Sequence, residues 1–353
     1  MQKTVVKELR KYLKKAPNQD GVIDWLYGFY VSEGEVVCDN IQKYYNYTEE
    51  EKFRLLDIVN KTISASIGKD IFPVHTEQNE AILNYRIGDT EEVLPDLQAF
   101  RDVILSQYSS NDPYFATVAR IIYDAPVKAS DGAILEDEHN SYDAIVFSIS
   151  PAKLSSPALG IDDGTVTDLV RRWTIGTPVC GFLYPSFDDR GPNLNEVALY
   201  MKKHAGEDLL RGLFEIEEET PDSDEQKKMW NDILTEVGIT SEEASIINEL
   251  VCELSEENAF LGKNELKKVV EEAGVDSDKF ENVYESIAGD TELPSSVIAN
   301  AKIEIKTDSA KIQMDADKAA FVKTKKIDGI EYVIIPLDGV LTVNGASVLP
   351  SDS

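Results

Sequence analysis

Three cysteines in 353 residues, none in a C-x-x-C pair, give no basis for a disulfide framework or a thiolate metal site. Cys38, Cys180 and Cys252 are odd in number and far apart, which suits thiols kept reduced; the expected compartment is the cytoplasm. Histidine is as scarce. Only His75, His139 and His204 could move a proton near neutral pH, so histidine-dependent catalysis has few candidates. No 18 apolar residues run together, so no membrane-spanning helix is expected. The opening residues, Met1 to Arg10, are charged and amphipathic rather than continuously apolar, and no secretory signal is expected. There is no G-x-S-x-G, H-E-x-x-H or glycine-rich phosphate loop. Ser66-Ile67-Gly68-Lys69-Asp70 superficially matches the end of a phosphate loop. Ile63 stands where that motif needs its first glycine, and Asp70 where it needs a magnesium-binding hydroxyl. No cofactor is expected.

Positive charge is also in short supply: 35 Lys and Arg face 65 Asp and Glu, a net of −30. Such a field repels nucleic acid and anionic lipid and attracts basic partners. Residues 1–15 run the other way, with six basic residues against Glu8, a net of +5. The remaining 338 residues therefore carry −35. Residues 205–300 hold 26 acidic and 7 basic residues, a net of −19.

What is present is a globular composition, with enough apolar sequence for two domains or one elaborated domain. Residues 3–15 read as a short basic helix with Val6, Leu9 and Leu13 on one side. It is either a solvated first helix or an arm that docks on phosphate or on the chain's own acidic half. Trp25 to Cys38 reads as a hairpin around Ser32-Glu33-Gly34. Thr48-Glu49-Glu50-Glu51 is a capping box opening a helix with Phe53, Leu56, Val59 and Ile63 along one face. A second helix spans Thr90 to Tyr108. Tyr114–Ala125, Tyr142–Ser150, Trp173–Ile175 and Val179–Tyr184 read as strands. The spacing predicts an α+β fold, a mainly antiparallel sheet with packed helices. Three regions are expected: a core domain over 1–204, an acidic helical region over 205–300, and a small β-rich unit over 301–353.

In the acidic region, Thr240-Ser241-Glu242-Glu243 caps a helix with Ile246, Ile247, Leu250 and Leu254 inside. Residues 264–281 have helix–turn–helix spacing, but the second helix begins Asp276-Ser277-Asp278. It lacks the cations that meet phosphates, so direct nucleic-acid binding is not expected. In the tail, Asp328-Gly329, Asp338-Gly339 and Asn344-Gly345 punctuate short β segments.

Two places could carry chemistry. Strand Val179–Tyr184 stops at Pro185, and Asn193 with Glu196 reads as a helix start, with Leu194, Val197 and Met201 inward. Asp188, Asp189 and Arg190 then sit on a strand-to-helix loop. One carboxylate could serve as base or metal ligand, Arg190 could hold an anion and His204 could move a proton. The simpler reading gives these groups to turn capping, an ion pair and a helix C-terminus. Between the two long strands, Asp131, Glu136, Asp137, Glu138 and His139 lie in an acidic linker. Asp137 and His139 are the candidate metal ligands, although no calcium-loop order is present and an exposed turn suffices. Cys180, beside Gly181 in an apolar strand with no neighbouring cation, reads as a buried inert thiol.

The runs Ile122-Tyr123-Asp124-Ala125-Pro126, Phe147-Ser148-Ile149-Ser150-Pro151 and Gly176 to Arg190 together resemble a Firmicutes family catalogued as a domain of unknown function, DUF4317. Lys267-Lys268-Val269-Val270-Glu271-Glu272-Ala273-Gly274-Val275 and the closing Val333-Ile334-Ile335-Pro336-Leu337-Asp338 are similar to it as well. The resemblance covers nearly the whole chain. It implies a cytoplasmic bacterial protein and supplies no activity, cofactor or site residue.

From the residues, the leading expectation is a non-enzymatic cytoplasmic protein that binds a basic macromolecular partner through its acidic face. The alternative is a hydrolytic enzyme with its site around residues 186–193. Oligomeric state has no signal in the sequence.

Overall fold

The chain divides into two compact units, Met1–Thr220 and Pro221–Ser353. The computed structural model describes all residues except 1–2, 129–133, 189–190, 218–219, 301, 308–309, 316–321, 336–341, 344–345 and 348–353. The side chains of 124–128, 134–140, 162, 167–170, 188, 303, 342–343 and 346 also lie outside the described set.

In the first unit, α1 (Lys3–Leu13) buries Val5, Val6, Leu9 and Leu13, so the basic helix is built into the core rather than free as an arm. The hairpin of β1 (Ile23–Ser32) and β2 (Glu35–Lys43) turns at Glu33-Gly34, both at positive φ. α2 (Glu49–Ile63) starts with the expected capping box: Thr48 Oγ1 accepts from the Glu51 amide, and the Glu51 carboxylate accepts from the Thr48 amide. Then come β3 (Ile71–His75), α3 (Glu80–Asn84), α4 (Thr90–Gln107), β4 (Tyr114–Lys128) and β5 (Ile134–Leu154). The short strands β6 (Ala158–Asp162), β7 (Thr165–Val170), β8 (Trp173–Ile175), β9 (Cys180–Tyr184), β10 (Ser186–Asp188), β11 (Gly191–Asn193) and β12 (Glu196–Met201) lead to α5 (Glu207–Leu213).

One antiparallel sheet organises this unit, in the order β2-β1-β4-β5-β9-β12-β3, with β8 extending it by pairing with β5. The fold is α+β. Side chains alternate across the sheet. Phe147, Phe182 and Leu199 face α3, α4 and α5 in an aromatic core, where Phe182 and Phe214 meet edge to face at 4.9 Å. The opposite face carries small groups together with Tyr200. Thr117, Ser148, Gly181 and Tyr200 are aligned across neighbouring strands, and α2 packs over β5, β9 and β12 with α1 against it.

Several expectations need correction. Residues 196–201 form β12, not a helix. Leu194, Val197 and Met201 fit helical spacing, but β12 lies between β9 and β3 and is buried on both faces. A strand buried on both faces reads as an apolar run and loses its alternation. β5 begins at Ile134, so Asp137 and His139 lie within that strand rather than in a linker: His139 pairs with Pro126 of β4, and Asp137 falls where the register shifts between the Pro126 and Val127 pairs. Phe53 is 51% exposed and Ile246 39% exposed, although both fit the apolar faces of their helices.

The second unit is helical: α6 (Ser223–Val237), α7 (Ser241–Leu254), β13 (Phe260–Leu261), α8 (Lys263–Glu272), α9 (Ser277–Ile287), β14 (Leu293–Pro294) and α10 (Ser295–Ile298). Thr240 caps α7 as expected. Trp230, Ile233, Leu266, Val270, Phe280, Tyr284 and Leu293 form its core. Three hairpins follow: β15 (Lys302–Lys306) with β16 (Lys311–Asp315), β17 (Lys323–Ile327) with β18 (Ile330–Ile334), and β19 (Thr342–Val343) with β20 (Ala346–Ser347). Asp328-Gly329 makes the β17–β18 turn with φ of 49° and 85°, as a two-residue hairpin requires. Asp338-Gly339 and Asn344-Gly345 lie outside the described residues. Among the described residues, no helix is long and apolar enough to cross a membrane.

Candidate functional site

A groove of about 1210 Å³ opens on the α2 side of the sheet in the first unit. α1 supplies Arg10, followed by Lys14 one turn on. α2 supplies Arg54, Asn60 and Lys61, and Lys202 follows the end of β12. The facing wall is β8 and the Gly176-Thr177-Pro178 turn, with Tyr200 at its base. Tyr200 is held there because its hydroxyl donates to the Pro178 carbonyl at 3.0 Å.

Five cations and two carboxylates, Asp57 and Asp70, line this groove. The only ion pair among them in the described residues is a 4.0 Å contact between Arg54 and Asp57, both well exposed. Arg10, Lys14, Lys61 and Lys202 have no ion-pair partner among the described residues. Asn60 Oδ1 is buried and lacks a hydrogen-bond partner among the described residues. A carboxamide can present either end to a ligand. The groove lining includes no histidine, cysteine or glutamate, so its chemistry is that of charge and hydrogen bonding.

Ser66 and Asp70 also line the groove, but their turn has little to offer a phosphate. The amides of Lys69, Asp70 and Ile71 all point to the Ser66 carbonyl, and the Gly68 amide donates to Ile71. A phosphate-cradling loop needs such amides free. This turn spends its amides on its own carbonyls.

The residues singled out in sequence fall elsewhere. Asp188 ends β10, and its side chain lies outside the described residues, as do Asp189 and Arg190. The β10–β11 hairpin precedes β12 and His204 follows it. The six residues of β12 span roughly 20 Å at about 3.3 Å per residue. The side chains of Asp124, Asp137 and His139 are outside the described set as well. Among the described residues, no group of three His, Cys, Asp or Glu side chains could hold a metal ion.

His204 has a triad-like setting that fails on geometry. Its Nδ1 lies 2.8 Å from Glu207 Oε2 and 3.3 Å from Thr220 Oγ1, while Thr220 Oγ1 donates to Glu207 Oε1 at 2.6 Å. A relay needs the hydroxyl and the carboxylate on opposite ring nitrogens. Here both meet the same one, so the cluster is a clasp that ties residue 220 to α5. Burial would raise the Glu207 carboxyl, but the Thr220 hydroxyl and amide and the His204 ring outweigh it and hold the carboxyl below its ordinary value. Cys180 is fully buried, and burial pushes its thiol up to about 12.

The groove was missed in sequence because its cations are scattered from residue 10 to residue 202. The one legible signal was the basic first helix, whose Arg10 faces it.

No curated protein and no solved structure matches the chain. A family model described as "Domain of unknown function (DUF4317)" matches residues 1–346. With almost the whole of its length accounted for by that one model, the chain belongs to the DUF4317 family.

Proposed function

We propose that this is a cytoplasmic, non-enzymatic binding protein whose first unit holds an anionic ligand in the groove between α1, α2 and β8. The observation that carries this reading is the convergence of Arg10, Lys14, Lys61 and Lys202 without ion-pair partners among the described residues, in a chain with 65 acidic residues. Like charges gathered on one cavity repel one another, and a bound anion relieves that repulsion. The overall negative field opposes adventitious anions elsewhere, which favours one local positive site. Three unpaired thiols, one of them exposed, suit a reducing compartment.

Calorimetric titration of the full chain with inorganic pyrophosphate tests the reading. One site is expected, weakening as salt rises because exposed charges are screened beyond about 10 Å at 0.1 M. Lys61→Glu with Lys202→Glu should abolish it. Absence of binding, or binding indifferent to that double reversal, would overturn the reading.

A second reading, a basic partner bound through the helical unit, is favoured by how the lysines there are used. Lys263 pairs with Glu285 at 2.6 Å, Lys267 pairs with Glu281 at 2.5 Å, and Lys279 donates to the Val237 carbonyl at 2.7 Å. Glu242, Glu249, Glu253, Glu271 and Glu272 stay exposed. Salt-sensitive capture of polylysine, unchanged by the groove variants, is the expected result. Failure to bind polylysine at low salt removes this reading.

A further inference from the structure

The cationic groove does not end at Arg54. There it meets a second cavity of about 600 Å³, whose walls include Tyr47, Phe53, Leu55 and Ile175. Arg54, Leu55 and Ile175 line both spaces. Phe53 is 51% exposed, Ile175 46% and the neighbouring Trp173 50%. Leu56, Val59 and Ile63 of the same helix are buried. Half-exposed large apolar side chains gathered beside a binding groove mark a contact surface rather than incidental exposure.

Resting on the anion-binding reading above, we infer that the ligand is a small amphipathic anion. Its charged group sits among Arg10, Lys14, Lys61 and Lys202, and its apolar body lies against Phe53 and Ile175. The electrostatics set the orientation. Glu50 and Glu51 border the apolar cavity and repel an anionic head from that end. Glu51 is already engaged by the Thr48 amide and hydroxyl, so its carboxylate belongs to the helix cap. Arg54 stands at the junction, its one ion pair among the described residues the long contact to Asp57, and can reach a head group or stack along a flat body. Cavities of this size suit small molecules, which are held by mostly apolar walls and a few placed polar groups. The recognised chemistry is a carboxylate, phosphate or sulfonate joined to an aryl or acyl body.

The test compares charge-matched pairs on the full chain by calorimetry: 1-naphthyl phosphate against inorganic phosphate, and decanoate against acetate. At least one amphipathic member should bind about tenfold tighter than its partner, a difference of about 1.4 kcal/mol. The better pair distinguishes an aryl from an acyl body. Phe53→Ser, at a residue that lines the apolar cavity but not the cationic groove, should erase the advantage while leaving the affinity for the small anion. Phe53 is half exposed, so the variant should keep the parent's thermal midpoint. If neither amphipathic member exceeds its partner, or if the advantage survives in the variant, this inference is overturned and the anion site stands. If phosphate, acetate and both amphiphiles all fail to bind, the anion-binding reading falls and takes this one with it.

Discussion

The Glu207 carboxylate grips Thr220 twice, accepting from its amide at 3.0 Å and from its hydroxyl at 2.6 Å. It joins α5 to the last residue of the first unit. The carboxyl is held below its ordinary value of 4.5, so the unfolded chain binds this proton at a higher pH than the folded one. The clasp's contribution is then complete above pH 4.5 and is lost as pH falls through the folded value. Glu207→Gln keeps one carbonyl acceptor for Thr220 but loses the charge and the oxygen that meets His204, which should cost about 1–3 kcal/mol near neutrality, the scale of hydrogen bonds to a charged group. Urea melts of both proteins over a series of falling pH should converge once the pH drops below the folded value. A constant gap would contradict this assignment.

Arg120 bridges two strands, with Asp24 at 2.9 Å and Asp143 at 2.7 Å, and all three side chains are largely shielded. Asp24 keeps a second partner in Lys43 at 2.8 Å, whereas Asp143 has no other ion pair among the described residues. Arg120→Met should therefore cost about 3 kcal/mol, chiefly by stranding Asp143. Adding Asp143→Asn should recover part of the loss. Lys311→Met, which breaks an exposed pair with Glu304, should leave the denaturation midpoint where it was.

A Cβ at Gly181 would stand 2.1 Å from the Phe147 carbonyl oxygen, and the obstructing atom is backbone of the adjoining strand. Gly181→Ala should force β5 and β9 apart and leave little soluble, folded protein. Gly34 has open space around it but a φ of 78°. Gly34→Ala should fold and lose about 1 kcal/mol. Thermal midpoints distinguish the two cases.

Thiol labelling at pH 8 should resolve three classes. Cys38 is exposed and reacts first. Cys252 is partly covered, its thiol raised by burial and donating to the Asn300 carbonyl at 3.6 Å, and it reacts slowly. Cys180, with its thiol near 12, reacts only in denaturant. Prompt labelling of Cys180 would mean that β9 is not buried as described.

Local signals are legible where a few neighbouring residues carry the physics. The Thr48 and Thr240 boxes each satisfy orphan amides within one turn, and Asp328-Gly329 supplies its own positive φ. The sequence of β12 reads as helix because helical spacing and a strand buried on both faces look alike in a short apolar run. Phe53 fits the apolar stripe of α2, yet its burial depends on what lies opposite, and opposite it is Ile175 at the groove.

By itself the sequence determined the charge imbalance, the α+β class, the capped helices and the membership of a family. These follow from composition and from interactions within a few residues. Tertiary structure decided that Arg10, Lys61 and Lys202 share one cavity, and that Phe53 and Ile175 stand beside it. The reason is physical. The sheet order β2-β1-β4-β5-β9-β12-β3 brings distant segments together through long-range pairing, and no local periodicity encodes which strands become neighbours.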